Sequence, residues 1–285
     1  TPWNMERLSI DESDLSYAIL LFGIFFIISN QIAGRILVPK YGTKLVMTLA
    51  FPIVTFSALL TVISSSYFYF LLTFISGGIG WGASGPIGGI HSQLIERHFK
   101  KIITPYYAMG FNLGILLGGG LAGLIMRNNY EPYISFTILS FLSILVSSFV
   151  YSYGLPRDLD FKGEGEKFKL PETNVLLFGF LLFFVFGSGG IIMDWSTLWL
   201  SKDLNTPLYL ASMGLIFFSI GGIFANLFSN SLINLFTEKV VGCHFVMIGA
   251  AIMFLSLLTN NFYIILAVLC IYGFAIANLV PIIIR

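Results

Sequence analysis

Apolar residues run through this 285-residue chain in successive blocks of about 20, separated by short polar stretches. That is the length at which an α-helix crosses the hydrocarbon of a bilayer. Nine spans are expected, roughly 15–38, 45–64, 67–94, 105–126, 132–155, 174–200, 207–236, 240–259 and 262–284. The polar start, TPWNMERLSIDESD, offers Asp11 and Asp14 as caps for the first of them. Most connections are short, which makes neighbouring helices antiparallel. The exception is 156–173, PRDLDFKGEGEKFKLPET, a charged, proline-flanked segment that reads as a solvated linker. The pattern therefore predicts an all-α polytopic membrane protein with an N-terminal bundle over 1–155 and a C-terminal bundle over 174–285.

Composition agrees: 56% of residues are hydrophobic and 10% charged, against about 25% charged in an ordinary soluble domain. Mean hydropathy is +0.89. A net charge of +1 gives no basic surface for nucleic acid. Cys243 and Cys270 lie inside expected spans without metal-ligand spacing, so neither a disulfide nor a metal is expected. With alternating spans, twelve Lys and Arg residues, from Arg35 to Arg285, fall on one side, and only Arg7, Arg127 and Lys202 on the other. The positive-inside rule makes the first side, with the linker, cytoplasmic.

A constant offset of 195 places Lys44 on Lys239, Gly78 on Gly273 and Pro86 on Pro281, and likewise Leu15 on Leu210 and Val46 on Val241. Gly and Pro eight apart recur in corresponding helices with the basic turn in register. Repeats separated by an even number of spans are parallel, related by an axis along the membrane normal.

The turn after the first span reads Gly34-Arg-Ile-Leu-Val-Pro-Lys40-Tyr-Gly42-Thr-Lys44. It resembles the G-x-x-x-D-[RK]-x-G-[RK]-[RK] signature of the major facilitator superfamily, transporters with two six-helix halves joined by a cytoplasmic loop. Lys40, Gly42 and Lys44 fit the signature, while its Asp falls on Pro39 and Gly34 is one residue out of step. In the family that Asp helps latch the cytoplasmic gate. The spans correspond to family helices 2–10, with helices 1, 11 and 12 outside this chain. The sequence also resembles the fucose-permease-like branch. Asp194-Trp195-Ser196 matches a D-W-S near the outer end of helix 7, and Ala277-Asn278-Leu279-Val280-Pro281 matches an A-N-x-x-P in helix 10. In helix 4, Glu96 fits the branch, but Gly85 and Gly89 stand where Asp and Asn are common.

Several residues are candidates for chemistry, each with a plainer reading beside it. Asp194 is the only charge over 174–200 and is flanked by Trp195 and Trp199. It reads either as a proton-linked or outer-gate group, or as an interface anchor in the tryptophan belt. Asn30, Gln31, Asn112, Asn226 and Asn278 are polar side chains within apolar helices. They read as substrate or cavity contacts, or as interhelical bonds. Gly78, Gly82, Gly85, Pro86 and Gly89 read as a close-packing face or a kink in helix 4. Gly110, Gly114, Gly118 and Ala122 read as a second packing ridge. His91 and His98 read as headgroup-level histidines, and Glu96 with Arg97 as an interfacial pair.

No Lys or Arg lies deep in a span, which disfavours strongly anionic cargo. No catalytic triad, carboxylate pair or phosphate loop appears, so neither an enzyme nor a cofactor is expected. The expected protein is a monomeric secondary transporter of the cytoplasmic (inner) membrane. It takes a small neutral or weakly polar, sugar-like or drug-like solute, with H+ as candidate coupling ion. The alternative is a non-transporting remnant or structural membrane protein.

Overall fold

The computed structural model describes residues 2–101, 103–128, 130–160, 172–279 and 282. Among these the regular structure is helical: α1 (Pro2–Leu8), α2 (Glu12–Ile32), α3 (Val38–Ile63), α4 (Tyr67–Phe99), α5 (Thr104–Arg127), α6 (Tyr133–Tyr153), α7 (Thr173–Lys202), α8 (Leu208–Ala211), α9 (Met213–Leu227), α10 (Ser229–Lys239), α11 (Phe245–Ser256) and α12 (Phe262–Ala277). One-turn π segments, Ala33–Leu37 and Val240–His244, join α2 to α3 and α10 to α11. Among the described residues, seven helical runs are long and apolar enough to cross a membrane, and Phe262–Ala277 is a shorter apolar helix. Two of the long runs contain a non-helical residue, Gly42 (φ 83°, ψ 158°) and Thr237 (φ 70°, ψ 155°). These breaks divide the runs near the span boundaries expected from sequence. Most of the linker, 161–171, lies outside the described residues.

Helix starts follow local polar chemistry. Asp11 Oδ1 accepts from the Asp14 N–H at 2.8 Å while Asp14 Oδ2 accepts from the Asp11 N–H at 3.4 Å, a reciprocal cap on α2. Ser66 caps α4 and Asn261 caps α12. Those two caps stand 195 residues apart, as do the first residues Tyr67 and Phe262 and the non-helical pair Gly42 and Thr237. The repeat is therefore written in the backbone and not only in residue identities. Pro281, one end of its Pro86 match, lies outside the described residues.

Contacts group the chain into two compact units that interleave along the sequence: Trp3–Ile103 with Tyr130–Lys169, and Thr104–Asn129 with Thr1–Pro2 and Leu170–Arg285. In the first, α4 packs on both α2 and α3, and α6 packs on α3. Ala33, Val46, Met47, Ala50, Ala83 and Ile87 form its core. A Cβ on Gly78 or Gly82 would run into the backbone carbonyl of Phe22 or Phe26. These glycines set the close approach of α4 to α2. Gly89 meets nothing within 4 Å and the nearest atoms to Gly85 belong to the Trp81 ring of its own helix, so neither makes the backbone contact that Gly78 and Gly82 make. Pro86 sits within an unbroken α4. Hydroxyls stitch the same unit together: Ser29 Oγ donates to Ile79 O at 2.6 Å, Thr61 Oγ1 to Thr73 Oγ1 at 2.8 Å and Ser140 Oγ to Thr55 O at 3.0 Å.

The second unit repeats the plan: α12 packs on both α9 and α11. Its core joins Leu200, Phe218, Ile265, Leu269, Tyr272 and Ile276. A Cβ on Gly273 would strike Phe218 O, and one on Gly221 would strike Cys270 O. α5, which sequence order assigns to the first bundle, packs here against α9 and α8. Its expected ridge does not form a contact: Gly110, Gly114 and Gly118 meet nothing within 4 Å.

Candidate functional site

Three of the five amide residues singled out in the sequence come together in the second unit. Asn226 is the penultimate residue of α9, and its Nδ2 donates to Gly222 O one turn back, at 2.9 Å. The absent side chain of Gly222 leaves room for Asn112 of α5. A Cβ at position 222 would lie 2.7 Å from Asn112 Oδ1. Asn112 Nδ2 donates to Ala108 O at 3.1 Å. Asn278, the first residue beyond α12, reaches across to α9 and donates from Nδ2 to Ala225 O at 3.0 Å. Each amide spends its NH2 on a helix carbonyl. The reverse orientation would press two oxygens together, so the bonding pattern decides the assignment.

Asn226 and Asn278 are 3% and 1% exposed, yet neither Oδ1 has a partner among the described residues. An unsatisfied buried carbonyl costs about 1–3 kcal/mol, so the pair calls for a ligand or water. The Ser219 hydroxyl, seven residues before Asn226 on the same face of α9, is likewise buried and unpartnered. The spot is polar and uncharged, and its free groups are two amide oxygens that accept hydrogen bonds and one hydroxyl that can accept or donate.

Asn30 and Gln31 belong to the other unit, near the end of α2, half-buried and exposed respectively. Asp194 and Trp195 are half-buried on α7, two turns before its end, while Ser196 is buried against the start of α9. Ser196 Oγ lies 3.7 Å from the position a Gly214 Cβ would take. Gly214 is twelve residues from Asn226, about 18 Å along the helix at 1.5 Å per residue. The Asp-Trp-Ser triplet and the three asparagines thus mark opposite ends of α9.

In the signature turn, Lys40 is exposed and Lys44 half-buried, with Nζ 5.1 Å from the Tyr41 ring and 5.5 Å from the Tyr151 ring respectively. Gly42 is buried at positive φ. His91 has a protein partner that the sequence did not indicate. Its ring is buried among protein side chains, 6% exposed, with Nδ1 2.8 Å from Thr43 Oγ1. His98 is exposed. Glu96 turns back on its own helix end, its Oε2 accepting from the Ile103 N–H at 3.0 Å. No group of three or more His, Cys, Asp and Glu side chains suited to a metal occurs among the described residues.

Comparison with known proteins is consistent across family, sequence and structure. The family model of the Major Facilitator Superfamily matches residues 1–285. An uncharacterized MFS-type transporter of Yersinia pestis is 21% identical over 235 residues, covering 82% of this chain. This chain spans 60% of that relative's length. The crystal structure of the nucleoside transporter NupG superposes with a TM-score of 0.57 at 14% identity, covering 96% of this chain and 73% of the other. At that identity the likeness concerns the fold. A match along the whole chain, a repeated α-helical plan and a set of membrane-length helices lead to one assignment: this chain belongs to the major facilitator superfamily, a family of membrane transporters rather than enzymes.

Proposed function

We propose that the chain carries the transport machinery of a secondary transporter. It moves a small neutral or weakly polar solute across the cytoplasmic membrane by alternating access of its two helix bundles. The observation that carries this reading is the meeting of Asn112, Asn226 and Asn278 from α5, α9 and α12, with two buried amide oxygens left as acceptors. A solute hydroxyl or N–H satisfies those acceptors, whereas an anion brings further acceptors to a place that already has too many. Asn30 and Gln31 serve as contacts from the other unit. Asp194, with Trp195 and Ser196, serves the outer gate or proton coupling. Lys40, Gly42 and Lys44 belong to the cytoplasmic gate, the linker is cytoplasmic, and the transporter works as a monomer. The branch that matches the helix 7 and helix 10 motifs is the fucose-permease-like one.

Uptake by proteoliposomes containing the full-length protein tests this reading. The panel holds sugars and, because the fold neighbour is a nucleoside transporter, nucleosides. It is run with and without an imposed pH gradient. Saturable uptake of at least one neutral solute is expected, lost in Asn278→Ala and Asn226→Ala. Absence of saturable uptake across the panel would overturn the transport reading. Unchanged uptake in both variants would overturn the site.

A further inference from the structure

The first unit holds a second buried polar cluster, unconnected with the asparagines. Asp160 lies in the turn after α6, on the one-turn 3-10 segment Arg157–Leu159 and its cap. Its Oδ2 accepts from both the backbone N–H of Thr43, at 2.5 Å, and the Thr43 hydroxyl, at 2.8 Å. His91 Nδ1 lies 2.8 Å from the same hydroxyl oxygen. The hydroxyl has one proton and gives it to the carboxylate, so its lone pair accepts from an N–H at His91 Nδ1. The chain of bonds runs in one direction, from His91 through Thr43 to Asp160. All three residues are buried, at 6%, 0% and 7% exposure, and come from α4, α3 and the segment beyond α6. Lys44 is the charged neighbour of His91 on the α3 side, as Asp160 is on the linker side.

Gly42 makes room for this cluster. A Cβ there would lie 2.9 Å from Asp160 Oδ2 and 3.5 Å from Arg157 Cγ, and the residue sits at φ 83°. The left-handed break at Gly42 leaves the Thr43 N–H without an intrahelical acceptor at the start of the following helical stretch, and Asp160 provides one. This is the same turn in which Pro39 occupies the signature's carboxylate position. A carboxylate therefore does reach this turn, supplied to Thr43 from 117 residues away instead of four.

We propose that Asp160, Thr43 and His91 form a clamp that straps the beginning of the inter-bundle connector to the ends of α3 and α4. In this device the connector's first turn moves with the first bundle, and breaking the clamp alters the rate of the conformational cycle without touching the solute. The role in the cycle rests on the transport reading given above. The clamp itself does not.

The test therefore has two arms, both on the full-length protein. In the first, trypsin cleavage after the exposed Arg157 is timed for wild type, Asp160→Asn, Thr43→Val and Thr43→Ser, with unfolding followed by circular dichroism across an SDS titration as the measure of global folding. Loss of charge-assisted bonds in Asp160→Asn is expected to speed cleavage about tenfold or more. Thr43→Val is expected to act in the same direction, and Thr43→Ser, which keeps the hydroxyl, to match wild type. Should Asp160→Asn fail to fold, as a lost unfolding transition in that titration would show, the Thr43 pair decides. Equal rates for Val and Ser overturn the clamp. In the second arm, maximal uptake rate is expected to change at least threefold in Thr43→Val with the half-saturation concentration unchanged. An unchanged rate alongside faster cleavage overturns the role in the cycle. If wild type takes up no solute, the transport reading fails while the cleavage arm still judges the clamp.

Discussion

Replacing Gly78 by Ala puts a methyl group where α4 lies against the backbone of α2. The new Cβ would overlap Phe22 O and lie 3.2 Å from both Phe22 C and Phe22 Cα. A side chain could rotate aside, but a helix carbonyl cannot, so the two helices must separate or shear. Overpacking of this kind costs about 1–3 kcal/mol, set against the gain of about 1 kcal/mol that Ala brings over Gly in a helix interior. Gly89, on the same helix, supplies the internal control because nothing lies within 4 Å of its Cβ position. The propensity gain is common to both sites, so the expected difference between Gly78→Ala and Gly89→Ala is the overpacking cost alone. That difference corresponds to a factor of roughly 5–150 in the unfolding equilibrium. Gly273→Ala, whose Cβ would strike Phe218 O in the equivalent helix of the second unit, is expected to behave like Gly78→Ala. Unfolding of the purified protein in mild detergent, followed by circular dichroism across an SDS titration, measures all three. If Gly78→Ala is as stable as Gly89→Ala, the close approach of α4 to α2 does not govern the stability of this unit, and the reasoning is wrong.

The other predictions address the turns and the cap. Thr237 holds φ 70° and ψ 155°, a region that is nearly glycine-only. Thr237→Gly is expected to stabilise the protein by about 1–2 kcal/mol in the same titration, and a loss of stability would refute strain at that turn. Gly42→Ala, at the equivalent position of the repeat, faces both the positive φ and the Asp160 carboxylate 2.9 Å away. It is expected to destabilise by about 2–4 kcal/mol and to speed trypsin cleavage after Arg157. Arg7 closes the end of α3, donating to Ser64 O, to Thr61 O at 3.3 Å and to Asn4 Oδ1 at 3.2 Å while lying over the Trp3 ring. It is solvent-exposed, so Arg7→Gln is expected to cost only about 0.5–1 kcal/mol. A larger loss would mean that α1 depends on this residue for docking.

How far the sequence reaches is clearest in single residues. Asp11 and Asp14 were legible as caps because a cap is a contact between residues three apart. The offset of 195 was legible from Lys44 and Lys239, and the structure sharpens it: Gly42 and Thr237 share a backbone conformation although their side chains differ. Asn226 and Asn278 stood out because an amide in an apolar helix needs a partner whatever the fold. The bonds that Asn278 makes to Ala225 and that Thr43 makes to Asp160 were not legible, since no periodicity links positions 53 or 117 apart. The partner of His91 was not legible for a related reason. Counting residues along α4 gives a depth in the bilayer but not the direction in which the ring points, and here it points into the junction with α3.

The sequence by itself determined that this is a polytopic helical membrane protein of the major facilitator type. Span length, apolar blocks and the internal repeat are properties of the chain, imposed by the thickness of the bilayer and the need to satisfy every backbone group within a helix. Tertiary structure decided which helices touch: α5 against α9, the glycines of α4 against the carbonyls of α2, and three asparagines around Gly222 and Ala225. Lipid is as apolar as the side chains facing it, so burial alone does not select a partner helix. Small residues and polar pairs make that selection, and their partners become known only when the helices are seen together.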